Sequence, residues 1–227
     1  MGGRRQVVTA SGDAPPKWLI GAIAAVVVLG AIGYVGLTLR RPELPSFPPS
    51  PLEPRPANGQ RVGPVLYTVD ARDTAAWRFF SFSQGSIVVD PRPFDWDLAF
   101  RRFEIIVNGG EAFPGMGGVQ EIDGASLDSL PLAPEDGYVG SQVISGDSLS
   151  ASLGDWYDYS FLSHLLSPRP RTYLIRTADG RYAKLRFESY YCPLAQPGCV
   201  TFEYYYQGGG GRDFQSDGVL PEASLPP

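Results

Sequence analysis

The chain sorts by its hydrophobic pattern into one long apolar run and a series of short ones. From Trp18 to Leu39 the sequence WLIGAIAAVVVLGAIGYVGLTL runs 22 residues without a charge. At about 1.5 Å per residue that is roughly 33 Å of helix, enough for a hydrocarbon core of about 30 Å. Arg40, Arg41 and Pro42 follow at once, where a cleaved signal would carry a shorter apolar core and a small-residue cleavage site. The run therefore predicts an uncleaved transmembrane helix over 18–39.

Beyond Val62 the period changes. Runs rich in branched and aromatic residues recur at 65–70, 77–82, 86–89, 96–107, 171–177, 181–191 and 199–206, the composition of β-strands. Ala183, Leu185 and Phe187 alternate with Lys184, Arg186 and Glu188, as in a sheet with one buried and one wet face. Asp179-Gly180 between two of these runs marks a hairpin turn. The stretch LSASLGDWYDYSFLSHLL (149–166) places Leu153 and Trp156 at helical spacing before Pro168, and predicts the one short helix of the domain. The fold class that follows is all-β: packed antiparallel sheets with long loops and one short helix, preceded by a single transmembrane helix.

Composition sharpens the boundaries. Residues 40–62 hold seven prolines and little apolar periodicity, which predicts an extended spacer. Residues 208–227 are Gly- and Pro-rich and predict a flexible tail. The domains are thus 1–17, a cytoplasmic N-terminus; 18–39, the transmembrane helix; 40–62, the spacer; 63–207, the β domain; and 208–227, the tail. Between Phe103 and Pro168 there are ten acids and no Lys or Arg, a charge pattern that would suit a cationic soluble electron carrier as partner. The net charge of −5 excludes a nucleic-acid binder.

Cys192 and Cys199 lie between two strand-like runs, at a spacing that suits a disulfide across a hairpin end and not a CxxC redox or zinc motif. A disulfide implies an oxidising compartment. Three cations (Arg4, Arg5, Lys17) precede the helix and two (Arg40, Arg41) follow it, so both signals place the N-terminus in the cytoplasm and the β domain in the periplasm, on a bacterial inner membrane. Gly30 and Gly33 on the helix could let another helix approach closely.

Catalytic patterns are lacking. The single histidine rules out most triad and zinc chemistry, and no phosphate loop is present. Asp95 and Asp97 flank Trp96 as a carboxylate pair, for which a structural hydrogen-bonding role suffices.

The segment Trp77-Arg-Phe-Phe-Ser-Phe, then Trp96-Asp-Leu-Ala-Phe-Arg-Arg-Phe-Glu-Ile-Ile-Val-Asn-Gly-Gly110, resembles the HmuY-like family of bacterial haem-binding proteins. So does the C-terminal half, from Asp155-Trp-Tyr-Asp-Tyr159 to Tyr204, and the likeness spans about residues 65–206. It implies an all-β fold with finger-like loops that hold haem between two axial His or Met ligands, one of them just after the WD motif. In this chain Arg101 stands where that histidine would be, and a guanidinium keeps its proton and cannot ligate iron. Met116 and His164 are the remaining candidate cofactor ligands; Arg101 and Arg102 are candidate clamps for carboxylates, on haem or on a partner. The loss of the ligand at Arg101 favours a non-catalytic interaction subunit without a cofactor. Such a subunit would be held by its helix among the integral membrane subunits of an energy-transducing or photosynthetic complex. The alternative is a haem-binding surface protein.

Overall fold

The computed structural model describes residues 16–39 and 44–215. The chain divides into two compact units, with the boundary before Leu44. The first contains helix α1 (Lys17–Leu39), in which Ala, Val, Leu and Ile predominate, no proline occurs, and Gly21, Gly30, Gly33 and Gly36 are accommodated within the helix. It is long and apolar enough to cross a membrane, and its apolar side chains are exposed. A Cβ added at Gly30 or Gly33 would meet nothing within 4 Å.

Among the described residues the second unit contains thirteen strands. In chain order these are β1 (Arg61–Asp70), β2 (Arg78–Ser81), β3 (Ser86–Val88), β4 (Leu98–Arg101), β5 (Glu104–Val107), β6 (Gly118–Asp123), β7 (Gln142–Ile144) and β8 (Asp147–Leu149). After the short helix α2 (Ala151–Gly154) come β9 (Tyr157–Tyr159), β10 (Leu166–Pro168), β11 (Arg171–Arg176), β12 (Tyr182–Cys192) and β13 (Gln196–Gln207). One sheet has the order β1-β13-β12-β11-β6 and a second β3-β2-β4-β5, while β7–β8 and β9–β10 form separate two-stranded fingers. All the named strand pairs are antiparallel.

The two sheets face each other through aromatic rings. Phe80 lies 5.3 Å edge-on to Phe202, Phe100 stacks on Phe202 at 5.6 Å, and Phe82 meets Tyr204 at 5.3 Å. Each is fully buried, and a buried ring of this size contributes about 2–3 kcal/mol by removal from water. The alternation in β12 delivers Ala183, Leu185 and Phe187 to this core.

Four sequence expectations change. The helix predicted over 149–166 is confined to Ala151–Gly154: Ser150 caps it, Gly154 ends it, and the aromatic run Tyr157–Tyr159 pairs with Leu166–Pro168 as a hairpin. Leu153 and Trp156, the residues that suggested helical spacing, are both buried, and Trp156 Nε1 donates to Phe103 O at 2.9 Å. Lys184 is not on a wet face. Its ammonium donates to Leu130 O at 2.8 Å and sits 4.6 Å from the Tyr205 ring and 5.0 Å from Phe214, beneath the chain end.

That end is docked rather than free as far as residue 215, because Phe214 is buried and its N–H donates to Pro131 O. The rest of the expected tail lies outside the described residues. The proline-rich stretch is extended, yet from Leu44 onward it lies along the sheets: Phe47 N donates to Tyr191 O, Ser50 N to Thr68 O, Arg55 N to Gln84 O and Ala57 N to Ser83 O.

Candidate functional site

The WD and NGG segments form a structural knot. Asp97 is buried, and its carboxylate accepts the N–H of Phe82 at 2.8 Å and of Ala178 at 2.9 Å, tying the end of β2 to the β11–β12 turn. Burial pushes this carboxyl up to about 6, against the downward pull of the two N–H donors. Asp95 instead pairs with Arg92 at the surface, so the two carboxylates do not form a catalytic pair. Asn108 donates to Pro93 O and Trp96 O at 2.8 Å each, and the chain folds back so tightly that a Cβ on Gly109 would lie 2.0 Å from Gly117 O.

The two arginines that follow the motif are held within the domain. Arg101 pairs with Glu104 at 2.7 Å and covers the Trp77 ring at 4.5 Å. Arg102, at φ 56° in the β4–β5 turn, donates to the carbonyl oxygens of Arg72 and Pro197. The acidic excursion likewise finds internal partners: Glu121 and Asp123 pair with Arg171, and Asp155 and Asp158 with Arg169.

Met116 and His164 lie at different ends of the long sheet. Met116 donates its N–H to Ala178 O, and its Cε would be 2.6 Å from a Cβ on Gly180, which fixes it at the β11–β12 turn. The finger that carries His164 is fastened at the far end of β12, where Leu166 N donates to the Tyr191 hydroxyl at 2.8 Å. From the start of β12 to Tyr191 is nine residue steps, roughly 30 Å of strand, so one iron cannot bind both side chains.

His164 itself is well placed for ligation. It sits at the tip between β9 and β10 at φ 57°, where His164 N donates to Ser160 O. Its Nδ1 shares a 2.6 Å hydrogen bond with the Tyr159 hydroxyl, and among the described residues Nε2 has no hydrogen-bond partner. Either atom can be the donor in that bond; in the tautomer in which Nδ1–H donates to Tyr159, Nε2 is the nitrogen that keeps a lone pair, the arrangement in which histidine binds metals. Phe161 and Leu162, three and two residues before it in the same tip, are 84% and 96% exposed, so the tip presents apolar surface as well as one nitrogen ligand.

Two clefts border the fingers. One of about 540 Å³ is lined by Arg169, Arg171, Arg186, Asp123 and Asp158 and contains no soft or imidazole ligand. The other, about 170 Å³ between Phe103, Leu149 and Tyr157, is smaller than the ~300–1,000 Å³ of ordinary small-molecule sites. Sequence reasoning missed Tyr159 as the partner of His164; the signal was a tyrosine five residues before the only histidine, legible only if 157–166 is read as a hairpin. It also missed the β7–β8 finger, whose strands lack both aromatic content and alternation. Cys192 and Cys199 form the expected disulfide, with Cα atoms 4.9 Å apart.

Comparison with known proteins agrees with this architecture. The family described as HmuY protein matches residues 73–204. A Bacteroides fragilis protein described as a candidate lipoprotein has 23% identity and a TM-score of 0.51, covering 61% of this chain and 86% of its own. A Bacteroides vulgatus protein described as a candidate HmuY-like haem-binding protein has 19% identity and a TM-score of 0.50, covering 66% and 94%. The apo HmuY analogue of Tannerella forsythia has 15% identity and a TM-score of 0.52, covering 63% and 95%. No curated protein is detectably similar in sequence. The expectation of a structural subunit in an energy-transducing or photosynthetic complex is overturned: the matched segment takes in most of the β domain, and the neighbours that share its fold include a protein described as HmuY-like and haem-binding. Over residues 73–204, and by the fold that contains them, the chain belongs to the HmuY family.

Proposed function

We propose that this protein is a membrane-anchored, non-enzymatic haem-binding protein whose iron ligand is His164. The observation that carries the reading is the fingertip itself: an exposed imidazole oriented through Nδ1 by Tyr159, beside the apolar Phe161 and Leu162. Haem would supply an iron that accepts Nε2 and a flat apolar face that covers the two exposed side chains. His164 would bind, Tyr159 would fix its tautomer and ring plane, and the finger would supply apolar contact. Met116 is too far away to complete the same coordination sphere, so one protein ligand is expected per chain. Helix α1 would hold the protein in a bacterial inner membrane with the β domain on the periplasmic side, the side on which the Cys192–Cys199 disulfide is stable.

Titration of the full chain in detergent with ferric haem, followed in the Soret band, tests this. The wild type is expected to give a saturable shift at one haem per chain. His164→Ala should lose it, Tyr159→Phe should weaken it, and Met116→Ala should leave it intact. Equal binding by wild type and His164→Ala, or loss in Met116→Ala alone, would overturn the assignment.

A further inference from the structure

The three most exposed large apolar side chains among the described residues are Leu162 at 96%, Leu194 at 92% and Phe161 at 84%. All three occupy the end of the β domain marked by Tyr191. Leu194 lies three residues beyond it, in the loop between β12 and β13, and the finger bearing Phe161 and Leu162 is fastened to the Tyr191 hydroxyl. The chain enters the domain at the same place: Phe47 N donates to Tyr191 O, Ser46 bridges Tyr191, and the Ser189 hydroxyl donates to Pro45 O.

The loop that presents Leu194 is held in an unfavourable conformation. Leu194 and Ala195 are consecutive non-glycine residues at φ 63° and 57°, a left-handed geometry that side chains disfavour and that persists only where the surroundings enforce it. Here the enforcement comes from the Cys192–Cys199 disulfide and from Arg102, which donates to Pro197 O. A leucine fixed outward by a disulfide and a hydrogen bond, and 92% exposed among the described residues, is a surface made for an apolar partner.

The length of the connection names the partner. Only residues 40–43 separate the end of helix α1 from the first residue of the β unit, and the five steps from Leu39 to Leu44 span at most about 18 Å fully extended. We infer that the Tyr191 end of the β domain is a lipid-docking face, and that Leu194, Phe161 and Leu162 enter the interfacial layer of the membrane that holds α1. An aromatic ring and two leucines on rigid loops are the side chains that partition to this depth. The inference rests on the anchored reading of α1 given above and describes the haem-free protein, since Phe161 and Leu162 are the side chains that haem would otherwise cover.

Full-length protein reconstituted into phosphatidylcholine vesicles with brominated acyl chains tests it. Native Trp18, at the start of α1, reports insertion of the helix as the part of the wild-type quenching that Trp18→Phe removes, the other three tryptophans lying in the β domain. Leu194→Trp and Phe161→Trp each add a reporter at the proposed face. Val139→Trp adds one at an exposed position that pairs with Val119, toward the opposite end of the sheet. After subtraction of the wild-type emission, the reporters at 194 and 161 are expected to be blue-shifted and quenched by bromine, and the one at 139 to be neither. Quenching of Trp18 with the position-194 signal as insensitive as that at 139 would overturn the docking face while leaving the anchor intact. Trp18 that is itself unquenched would overturn the anchor and the docking face together, and haem titration of the Leu194→Trp sample, whose substitution lies outside the fingertip, tests the His164 assignment separately.

Discussion

Asp97 shows what the family's most conspicuous motif does at the level of a single side chain. Its carboxylate is one of the few charged groups in the core, and it stays because two backbone N–H groups, from Phe82 and Ala178, would otherwise be left without acceptors. Burial still dominates, and holds the group at about 6 against an ordinary value of 3.8. The proton is therefore bound more tightly in the folded than in the unfolded chain. The stability that Asp97 contributes is full below about pH 4 and is lost as pH rises through about 6. Asp97→Asn removes this titration, so the stability difference between wild type and variant should be larger at pH 4.5 than at pH 7.5 in urea melts. A pH-independent difference would show that the carboxyl is not perturbed. His164 is the complementary case. As the only histidine it was visible in the sequence as a candidate ligand, but its orientation depends on a hairpin partner, Tyr159, that helical reasoning placed on another face.

At the scale of elements, what was legible follows from what is buried. The runs at 65–70, 77–82, 86–89, 171–177, 181–191 and 199–206 each contain a strand, and the run at 96–107 splits into β4 and β5 around the Arg102 turn. In these runs burial of alternate aromatic and branched side chains between two sheets imposes a pattern that the sequence must display. The fingers escape because their strands face solvent: Gln142, Val143 and Ile144 are all exposed, and no buried face constrains their alternation. The segment 149–166 misleads for a related reason, since Leu153 and Trp156 are core residues one helical turn apart on either side of the point where the helix stops.

The β12–β13 connection makes a prediction at this scale. Closing a loop of seven residue steps should contribute about 2 kcal/mol by restricting the unfolded chain. Cys192→Ala with Cys199→Ala should lower unfolding stability by about that amount while leaving haem binding at His164 in place. Because the disulfide also restrains Leu194, the double variant should weaken bromine quenching at position 194. Unchanged stability would mean that the turn is held by Arg102 and the ladder alone.

For the molecule as a whole, the informative feature is how the chain enters the β unit. A proline-rich segment between a membrane helix and a domain reads as a stiff spacer, and its composition gives no hint that anything binds it. The prolines do enforce the extended backbone expected, but that backbone is then used as a strap: its remaining N–H groups, from Phe47, Ser50, Arg55 and Ala57, pair with carbonyls of both sheets, and Leu44 packs on the core. Neither the register nor the docking is encoded in local pattern, because each contact is with residues 18 to 144 positions away. A strap of this kind makes stability depend on where the chain is cut. Removing residues 1–43 takes away no contact described within the β unit, and its urea midpoint should match that of the full chain. Extending the deletion through Ala57 removes five backbone hydrogen bonds, counting that from Gln60 N to Ala57 O, worth about 0.5–1.5 kcal/mol each, and should cost about 2.5–7.5 kcal/mol. The two deletions also separate folding from location, since the shorter one is expected to leave a stable, haem-binding domain that no longer sediments with membranes. If both truncations melt alike, the strap contributes nothing to the fold and the segment acts as a spacer after all. If the shorter one already melts early, the membrane helix contributes to the stability of the β unit.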